Sequence, residues 1–332
     1  MLSLNVLVST SGADSQFVIM FWNVENFFDW RADSTSRSEV EFSEHGLKKW
    51  TKKRFYTKCG AIAKTIMAAA DVYGEIPKVV GLAEVENRFV LNQLVRATPL
   101  AKFDYAVVHY DSPDRRGIDC ALLYRRGRWR CMDSRACHIY MGVADSSVVM
   151  QTRDILLAIL EPVGDGRQGE PIAVLVNHHP SKVGGGSGDR REIAMQRLVQ
   201  IRDSLLDAGV GRIIAVGDFN DVVEPAPGVS EKGPFYGRTG PLYPAGTIKF
   251  QGKWEKIDGC PVLEGLEAEE SIFDSPYLTE PDRGYAGTKP RRTYSGPRYR
   301  GGVSDHYPVV YRVSPSTPDL RPAGCCDGIP VR

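Results

Sequence analysis

The segment Gly301-Gly302-Val303-Ser304-Asp305-His306-Tyr307-Pro308 places a carboxylate directly before an imidazole. A histidine held by a carboxylate stays protonated more readily, and can then stabilise anionic charge or protonate a leaving group. Four other segments set acids, amides or imidazoles at the ends of apolar runs: Trp22-Asn23-Val24-Glu25-Asn26, Leu82-Ala83-Glu84-Val85, Asn177-His178-His179-Pro180-Ser181 and Gly217-Asp218-Phe219-Asn220-Asp221. A shorter one, Lys256-Ile257-Asp258, follows. Strand ends on a rigid sheet hold side chains to a fraction of an ångström, so these groups can converge on one rim. That inventory suits phosphoester hydrolysis, which needs a positioned water, neutralised non-bridging oxygens and help for the leaving alkoxide. A hard divalent cation held by carboxylate oxygens supplies part of this.

Each segment also has a plainer reading. Glu84 follows a buried apolar run and is the first choice of metal ligand, although a surface glutamate paired with Lys or Arg would look the same. Asp218 and Asn220 alternate along one strand direction, so both can face one side and handle the water and the phosphoryl oxygen; an Asx-type turn would use the same residues. Asp258 is a candidate for the carboxylate behind His306, or a turn residue before Gly259. Of His178 and His179 only one can point into a site, because strand side chains alternate. No Cys or spaced His partner supports a zinc cage around them.

The elements that would position these groups are short apolar runs rich in branched residues: 17–22, 79–85, 105–108, 118–124, 155–160, 172–176, 213–216 and 308–312. Many are apolar on both faces, as strands buried on two sides require. Two packed sheets covered outside by helices would satisfy that pattern. One helix is predicted over 58–73, with Ile62, Ile66, Ala69 and Tyr73 on one stripe, and another over 189–206, with Ile193, Leu198, Ile201 and Leu205. Gly74 and Gly209 mark their C-terminal ends. Residues 30–53 read as a surface loop with some helix. Residues 222–253 and 280–302 read as long surface loops.

The chain of 332 residues carries a net charge of +1, so its whole-molecule field attracts no polyanion and nucleic-acid binding requires a local basic patch. Arg283, Lys289, Arg291, Arg292, Arg298 and Arg300, interleaved with Tyr285, Tyr294 and Tyr299, form such a cluster just before Asp305. Arginine with aromatic neighbours suits phosphate contacts and stacking on bases; the same composition also fits a solvated loop. The seven cysteines include no Cys-x-x-Cys, and an odd number argues against a complete disulfide framework. Cys120 reads as core packing, and Cys325 and Cys326 as exposed tail residues. No stretch approaches transmembrane length. Residues 1–16 are apolar at 2–8, with small residues at 11–13 and no basic residue before Asp14. They are read as a leader, possible remnant of an export signal, which leaves exported and cytoplasmic locations both open. One catalytic domain is expected over 17–315, with a Pro/Gly/Cys tail at 316–332, acting as a monomer.

Taken in order, Trp-Asn-Val-Glu-Asn, Glu-Val, His-x-Pro, Gly-Asp-Phe-Asn, Ile-Asp and Ser-Asp-His resemble the endonuclease/exonuclease/phosphatase superfamily of DNase I and exodeoxyribonuclease III, from Asn23 to Pro308. The resemblance implies an α/β fold, the DNase I-like four-layer α/β sandwich of two packed mixed β-sheets flanked by helices. It also implies roles. Asn23 would help hold the metal-side water network with Glu25 in support, and Glu84 would bind Mg²⁺, or Mn²⁺. Asp305 would share that metal or position the nucleophile. Asp218 and Asn220 would serve the water and the phosphoryl oxygen, and His306, buttressed by Asp258, would stabilise the transition state. His178 would touch the scissile phosphate. Arg153, in Thr-Arg-Asp-Ile, would contact phosphate. Apart from the resemblance, Ser181 and the basic-segment residues Arg291, Arg292, Arg298 and Arg300 are expected to bind substrate. The implied activity is a metal-dependent phosphodiesterase, an endonuclease or exonuclease on DNA or RNA leaving a 5′-phosphate and a 3′-hydroxyl. The alternative is a phosphatase or phospholipase C acting on a small phosphoester or lipid headgroup. The segment between Asp258 and Asp305 is longer than compact nucleases carry, and Lys256-Ile257-Asp258-Gly259 lacks the Trp-Cys-Asp-Arg of inositol-polyphosphate phosphatases.

Overall fold

In the computed structural model, residues 16–31, 40–141, 148–163, 169–182, 187–234 and 246–316 are described. The leader at 1–15 and the tail at 317–332, with Cys325 and Cys326, lie outside the described residues. In chain order the strands are β1 (Phe17–Phe27), β2 (Val79–Val85), β3 (Tyr105–His109), β4 (Asp119–Arg125), β5 (Trp129–Cys137), β6 (Ile155–Pro162), β7 (Ile172–His178), β8 (Ile213–Asp218) and β9 (Val229–Pro234). A hairpin of β10 (Ile248–Phe250) and β11 (Lys253–Glu255) precedes β12 (Asp258–Glu264) and β13 (Leu266–Ile272). Two more small hairpins, β14 (Thr279–Pro281) with β15 (Thr288–Pro290) and β16 (Tyr294–Ser295) with β17 (Arg298–Tyr299), lead to β18 (Val309–Pro315).

A seven-stranded sheet has the order β3-β4-β2-β1-β18-β13-β9, and a five-stranded sheet the order β12-β8-β7-β6-β5. Both are mixed: β1 runs parallel to β2 and antiparallel to β18, while β8 runs parallel to β7 and antiparallel to β12. Strand alternation sorts the side chains into layers. Ile19, Phe21, Val79, Leu122 and Val309 meet Leu156, Val174, Val176, Ile214 and Val216 between the sheets. Met20, Trp22, Val80 and Leu82 face the other way, onto α1 (Lys52–Tyr73) and α2 (Arg88–Arg96). Leu157, Ala173, Leu175 and Ile213 face α3 (Ser187–Asp207). The fold is thus the four-layer α/β sandwich.

The predicted stripes face these layers. Ile62, Ile66 and Ala69 are buried in α1, and Leu198, Ile201 and Leu205 in α3. Each large apolar side chain so buried stabilises the fold by about 1.5–3 kcal/mol. Thr51 accepts from the Arg54 amide to start α1, and Gly74 ends it at φ 77°. The α1 helix begins earlier than its apolar stripe, at Lys52, because the cap lies in a charged stretch without apolar periodicity. Helix α2 escaped the sequence reading; its start signal is Asn87, whose Oδ1 accepts from the Val90 amide at 3.1 Å. The stretches read as long loops carry β9 to β11 and β14 to β17, all short strands with no long apolar run. Strand β5 is a sheet edge with Arg130, Asp133 and Arg135 along it, which hides it from an apolar-run search. Cys120 is buried between the sheets, as its apolar context predicts. Among the described residues, no helix is long and apolar enough to cross a membrane.

Candidate active site

Sheet register assembles the site. His178 on β7 is the partner of Asp218 on β8, and Asp218 is the partner of Asp258 on β12. Three polar side chains therefore stand in a row at one end of the five-stranded sheet, all buried. Gly217 permits the close approach that sets this row: a Cβ there would lie 2.5 Å from the Asn177 Cβ. The seven-stranded sheet brings its own polar ends to the same place. Asn23 Nδ2 donates to Asp218 Oδ2 at 2.9 Å, a bond between the two sheets.

His306 completes the arrangement. Its Nδ1 lies 2.8 Å from Asp258 Oδ2, and its Nε2 lies 3.8 Å from Asp218 Oδ2. The loop holding it is fastened to β1: Trp22 Nε1 donates to the His306 carbonyl at 2.9 Å, and Ser304 Oγ donates to the Asn23 carbonyl at 2.6 Å. Burial alone would push the His306 pKa down, but Asp258 and Asp218 outweigh it and hold the ring protonated well above its ordinary range. Asp218 is raised, first by burial and then by Asp258, against the lowering effect of His306. Its Oδ1 accepts from the Asn220 amide at 2.9 Å, and Asn220 Nδ2 donates to the His179 carbonyl at 3.0 Å. A buried acid with a raised pKa is a competent proton acceptor near neutrality, and an imidazolium beside it is a donor and a countercharge for a phosphoryl group.

The metal-side candidates sit across from this row. Both β1 and β2 bulge here, between Asn23 and Phe27 and between Ala83 and Val85. Bulges next to a site re-aim side chains. Glu25, Asn26, Glu84 and Asn220 adopt φ of 49°, 51°, 62° and 52°, left-handed conformations that non-glycine residues rarely hold without cause. Glu84 accepts from the Asn26 amide at 2.8 Å and from Arg116 at 3.2 Å. Burial opposes its ionisation, yet Arg116 and the Asn26 amide keep its pKa below the usual value. Glu84 and Asp305 lie within the electrostatic reach of the same cations, Lys58, Arg116 and Arg292. Glu84, Asp305 and Asn23 supply the oxygen donors a hard cation such as Mg²⁺ or Mn²⁺ takes, and a cation there would take the place of the Arg116 and Arg292 contacts to the two acids. Asp218, Asp258 and His306 also lie close enough to share an ion, their polar atoms within 4.8 Å of one another, but a protonated His306 ring has no lone pair for a metal, so this group is read as the proton-handling row. The group His109, Asp111 and Asp119 is better read as structural, because both Asp119 oxygens are engaged, one by Ser112 and the other by His109.

The remaining expected residues are dispersed. Arg153 is buried, and its guanidinium donates to the His178 and His179 carbonyls and to Asp114 at 3.0 Å. It braces the strand end within electrostatic reach of Glu84 and His178. Ser181 is exposed just beyond that end. Arg292 reaches the site, pairing with Asp305 at 2.8 Å and Glu25 at 3.1 Å. Arg300 turns to Glu280 at 3.4 Å, while Arg291 and Arg298 are exposed. Tyr294, a candidate for stacking, is buried, and its hydroxyl donates to the Lys48 carbonyl at 2.9 Å. Two residues escaped the sequence reading. Arg116 holds Glu84, and Lys58 lies buried under the site; neither has a distinctive local pattern, and only the glycine after Arg116 hints at a turn.

His178 and His179 separate as strand alternation requires. His178 Nε2 lies 3.6 Å from Asp218, whereas His179 packs edge-on against Phe219, ring centres 4.8 Å apart. Burial lowers both pKa values, His178 well below 6.5 and His179 to about 3. The unfolded chain binds protons at these rings below about pH 6.5 while the folded chain does not, so stability present above that pH is lost on acidification. Each neutral buried ring contributes about 1.4 kcal/mol of loss per pH unit within its window. Replacing His179 with Leu is expected to flatten the pH dependence of urea unfolding between about pH 6 and 4. Parallel wild-type and variant curves over that range would overturn the assignment.

A model of the endonuclease/exonuclease/phosphatase family matches residues 18–314. The chain belongs to that family. Its members hydrolyse phosphoesters, generally with a divalent metal. Among solved structures, a Bacteroides thetaiotaomicron protein of the family superposes with a TM-score of 0.54 at 14% identity, covering 91% of this chain and 99% of that one. The human Nocturnin catalytic domain gives 0.51 at 16% identity, with 91% and 94% covered. Caenorhabditis elegans TDP2 gives 0.51 at 15%, with 91% and 75% covered. These likenesses establish the fold. No curated protein sequence matches the chain.

Proposed function

We propose that this family member is a Mg²⁺- or Mn²⁺-dependent phosphodiesterase acting on nucleic acid, with one catalytic domain over 17–315. The observation that carries the reading is the Asp258–His306–Asp218 row, tied across the sheets by Asn23. Asp218, oriented by Asn23 and the Asn220 amide, takes the proton of the attacking water. His306, held protonated by Asp258, faces the charge that develops on the phosphoryl group and leaving oxygen. His178, neutral in its buried position, contributes a ring nitrogen beside Asp218. Glu84, Asp305 and Asn23 would hold the cation, which when bound neutralises non-bridging oxygen charge.

A second reading, hydrolysis of a small phosphoester or lipid headgroup, draws support from the basic segment. Arg292, Arg300 and Lys289 are paired with carboxylates and so offer less free charge than their sequence suggests. Incubation with plasmid, oligonucleotides, inositol phosphates and sphingomyelin, each with Mg²⁺ or with EDTA, separates the two. Nicking or shortening of nucleic acid is expected with Mg²⁺, falling to background with EDTA and restored by Mg²⁺ or Mn²⁺. Turnover that survives exhaustive chelation would remove the metal from the proposal, and turnover confined to the small substrates would replace the substrate class.

A further inference from the structure

A cleft of about 610 Å³ opens beside the site, lined by Lys49, Thr51, Lys53, Arg54, Thr57, Tyr299 and Gly301. It lies between the start of α1 and the β16–β17 hairpin. Three cations line it and no acid does. Three arginines at the site, Arg116, Arg153 and Arg292, each have a carboxylate partner. Lys49, Lys53 and Arg54 have none among the described residues. The Arg54 guanidinium lies over the Tyr299 ring, 4.4 Å from its centre, and is fixed there by donating to the Lys48 and Lys49 carbonyls at 2.9 and 2.7 Å. That pair presents a flat, cationic, aromatic surface of the kind on which bases and phosphates of a strand both settle. The first turn of α1 compounds the charge, since Lys52, Lys53 and Arg54 stand at the positive end of the helix with no acid among them. Cations there are unfavourable by themselves, and an anion in the cleft relieves them.

The cleft is coupled to the site through α1. Arg54 and Lys58 are four residues apart on one helix face, a rise of roughly 6 Å. Lys58 Nζ donates to Thr293 Oγ1 at 2.7 Å, and the Thr293 amide donates to Glu25 at 2.7 Å, beside Arg292 and Asp305. On the far side Arg291, next to Arg292, reaches the edge of the cleft at Gly301. At about 610 Å³ the cleft has the volume of a small-ligand site, room for a nucleotide or two.

We propose that this cleft is an accessory subsite for the phosphodiester backbone of a single nucleic-acid strand, with Lys49, Lys53 and Arg54 on phosphates and the Arg54–Tyr299 pair under a base. It deepens the proposed function and rests on the reading that the substrate is nucleic acid. The test is fluorescence anisotropy in EDTA with labelled oligothymidylate, a dinucleotide and a dodecanucleotide, over a range of salt. Lys49→Ser/Lys53→Ser alters two exposed side chains and is expected to weaken binding of the longer strand about tenfold at low salt, and to narrow its advantage over the dinucleotide. Its log–log salt slope is expected to fall by about 1.4, two contacts at about 0.7 each on a single strand. Tyr299→Ala is expected to weaken the dodecanucleotide by about 5- to 150-fold with little change in slope. A double-lysine variant with the wild-type slope and length preference overturns the subsite, as does a wild-type chain without salt-dependent binding of the longer strand. Binding as expected with no phosphodiester cleavage in Mg²⁺ would instead overturn the proposed reaction and leave the subsite. Cleavage by wild type and variant with equal slopes would do the reverse.

Discussion

Replacing His306 with Ala, or Asp218 with Asn, is expected to lower turnover by about 10²–10⁴-fold each, while the chain remains folded. Asp218→Asn keeps the size of the side chain and an oxygen for the Asn220 amide, but removes the charge and the basic oxygen that Asn23 orients. His306→Ala removes the imidazolium and leaves Asp218 and Asp258, register partners on adjacent strands, without the cation between them. One of the two acids must then keep a proton, so the base is weakened together with the loss of the donor. The loop itself stays anchored, because Trp22 and Ser304 hold its backbone. His306→Gln keeps a donor toward Asp258 and separates loss of chemistry from loss of packing. Since the row acts as a unit, the double variant should fall well short of the product of the single losses. Rates are measured under saturating substrate, with thermal melting as the control for folding. A folded variant that keeps a tenth of wild-type turnover takes that residue out of the mechanism.

The row was legible in the sequence because sheet geometry writes it there. His178, Asp218 and Asp258 each sit at the end of an apolar or partly apolar strand, and parallel or antiparallel pairing alone brings such ends level. Asp305-His306 was legible as an adjacent pair, although the two side chains diverge: His306 turns to Asp258 and Asp305 to Arg292. The strands buried on two faces stood out as continuous apolar runs. Strands β5 and β13 did not, because Arg130 and Asp133 in one and Glu267 and Glu269 in the other occupy exposed positions. What the sequence withheld was long-range pairing of charges. Arg292 and Arg300 look alike in a basic segment, yet one closes on Glu25 and Asp305 and the other on Glu280. Arg153 reads as a phosphate contact in the sequence, and nothing local announces that its guanidinium also holds two carbonyls and Asp114. Lys58 interrupts an apolar helix face as a surface lysine might, and nothing local distinguishes a buried lysine from an exposed one.

Lys58 is the source of the largest stability effect expected here. It is buried in α1, with Nζ donating to the Glu25 carbonyl and to Thr293 Oγ1. Burial lowers its pKa, while Glu25, Glu84 and Asp305 oppose that shift and keep the ammonium in place. Burial likewise raises Glu25, with Asp305 adding to it and Arg292 and Lys58 resisting. The lysine thus serves as an internal countercharge beneath three carboxylates, and holds the left-handed backbone at Glu25 against α1. Lys58→Met preserves most of the apolar stem but leaves the Glu25 carbonyl without its donor and the buried carboxylates with one cation fewer. Leaving a buried acceptor without its donor typically costs about 1–3 kcal/mol, and that loss is expected in urea unfolding. A double-mutant cycle isolates the charge. Glu25→Gln removes the carboxylate that most resists the lysine's loss, so Lys58→Met/Glu25→Gln should be destabilised by less than the sum of the two single changes. Lys58→Arg should not rescue it, because the larger planar head does not fit a close-packed position built for a compact ammonium. Stability of Lys58→Met within about 0.5 kcal/mol of wild type, the range of ordinary surface changes, would show that the ammonium holds nothing in place.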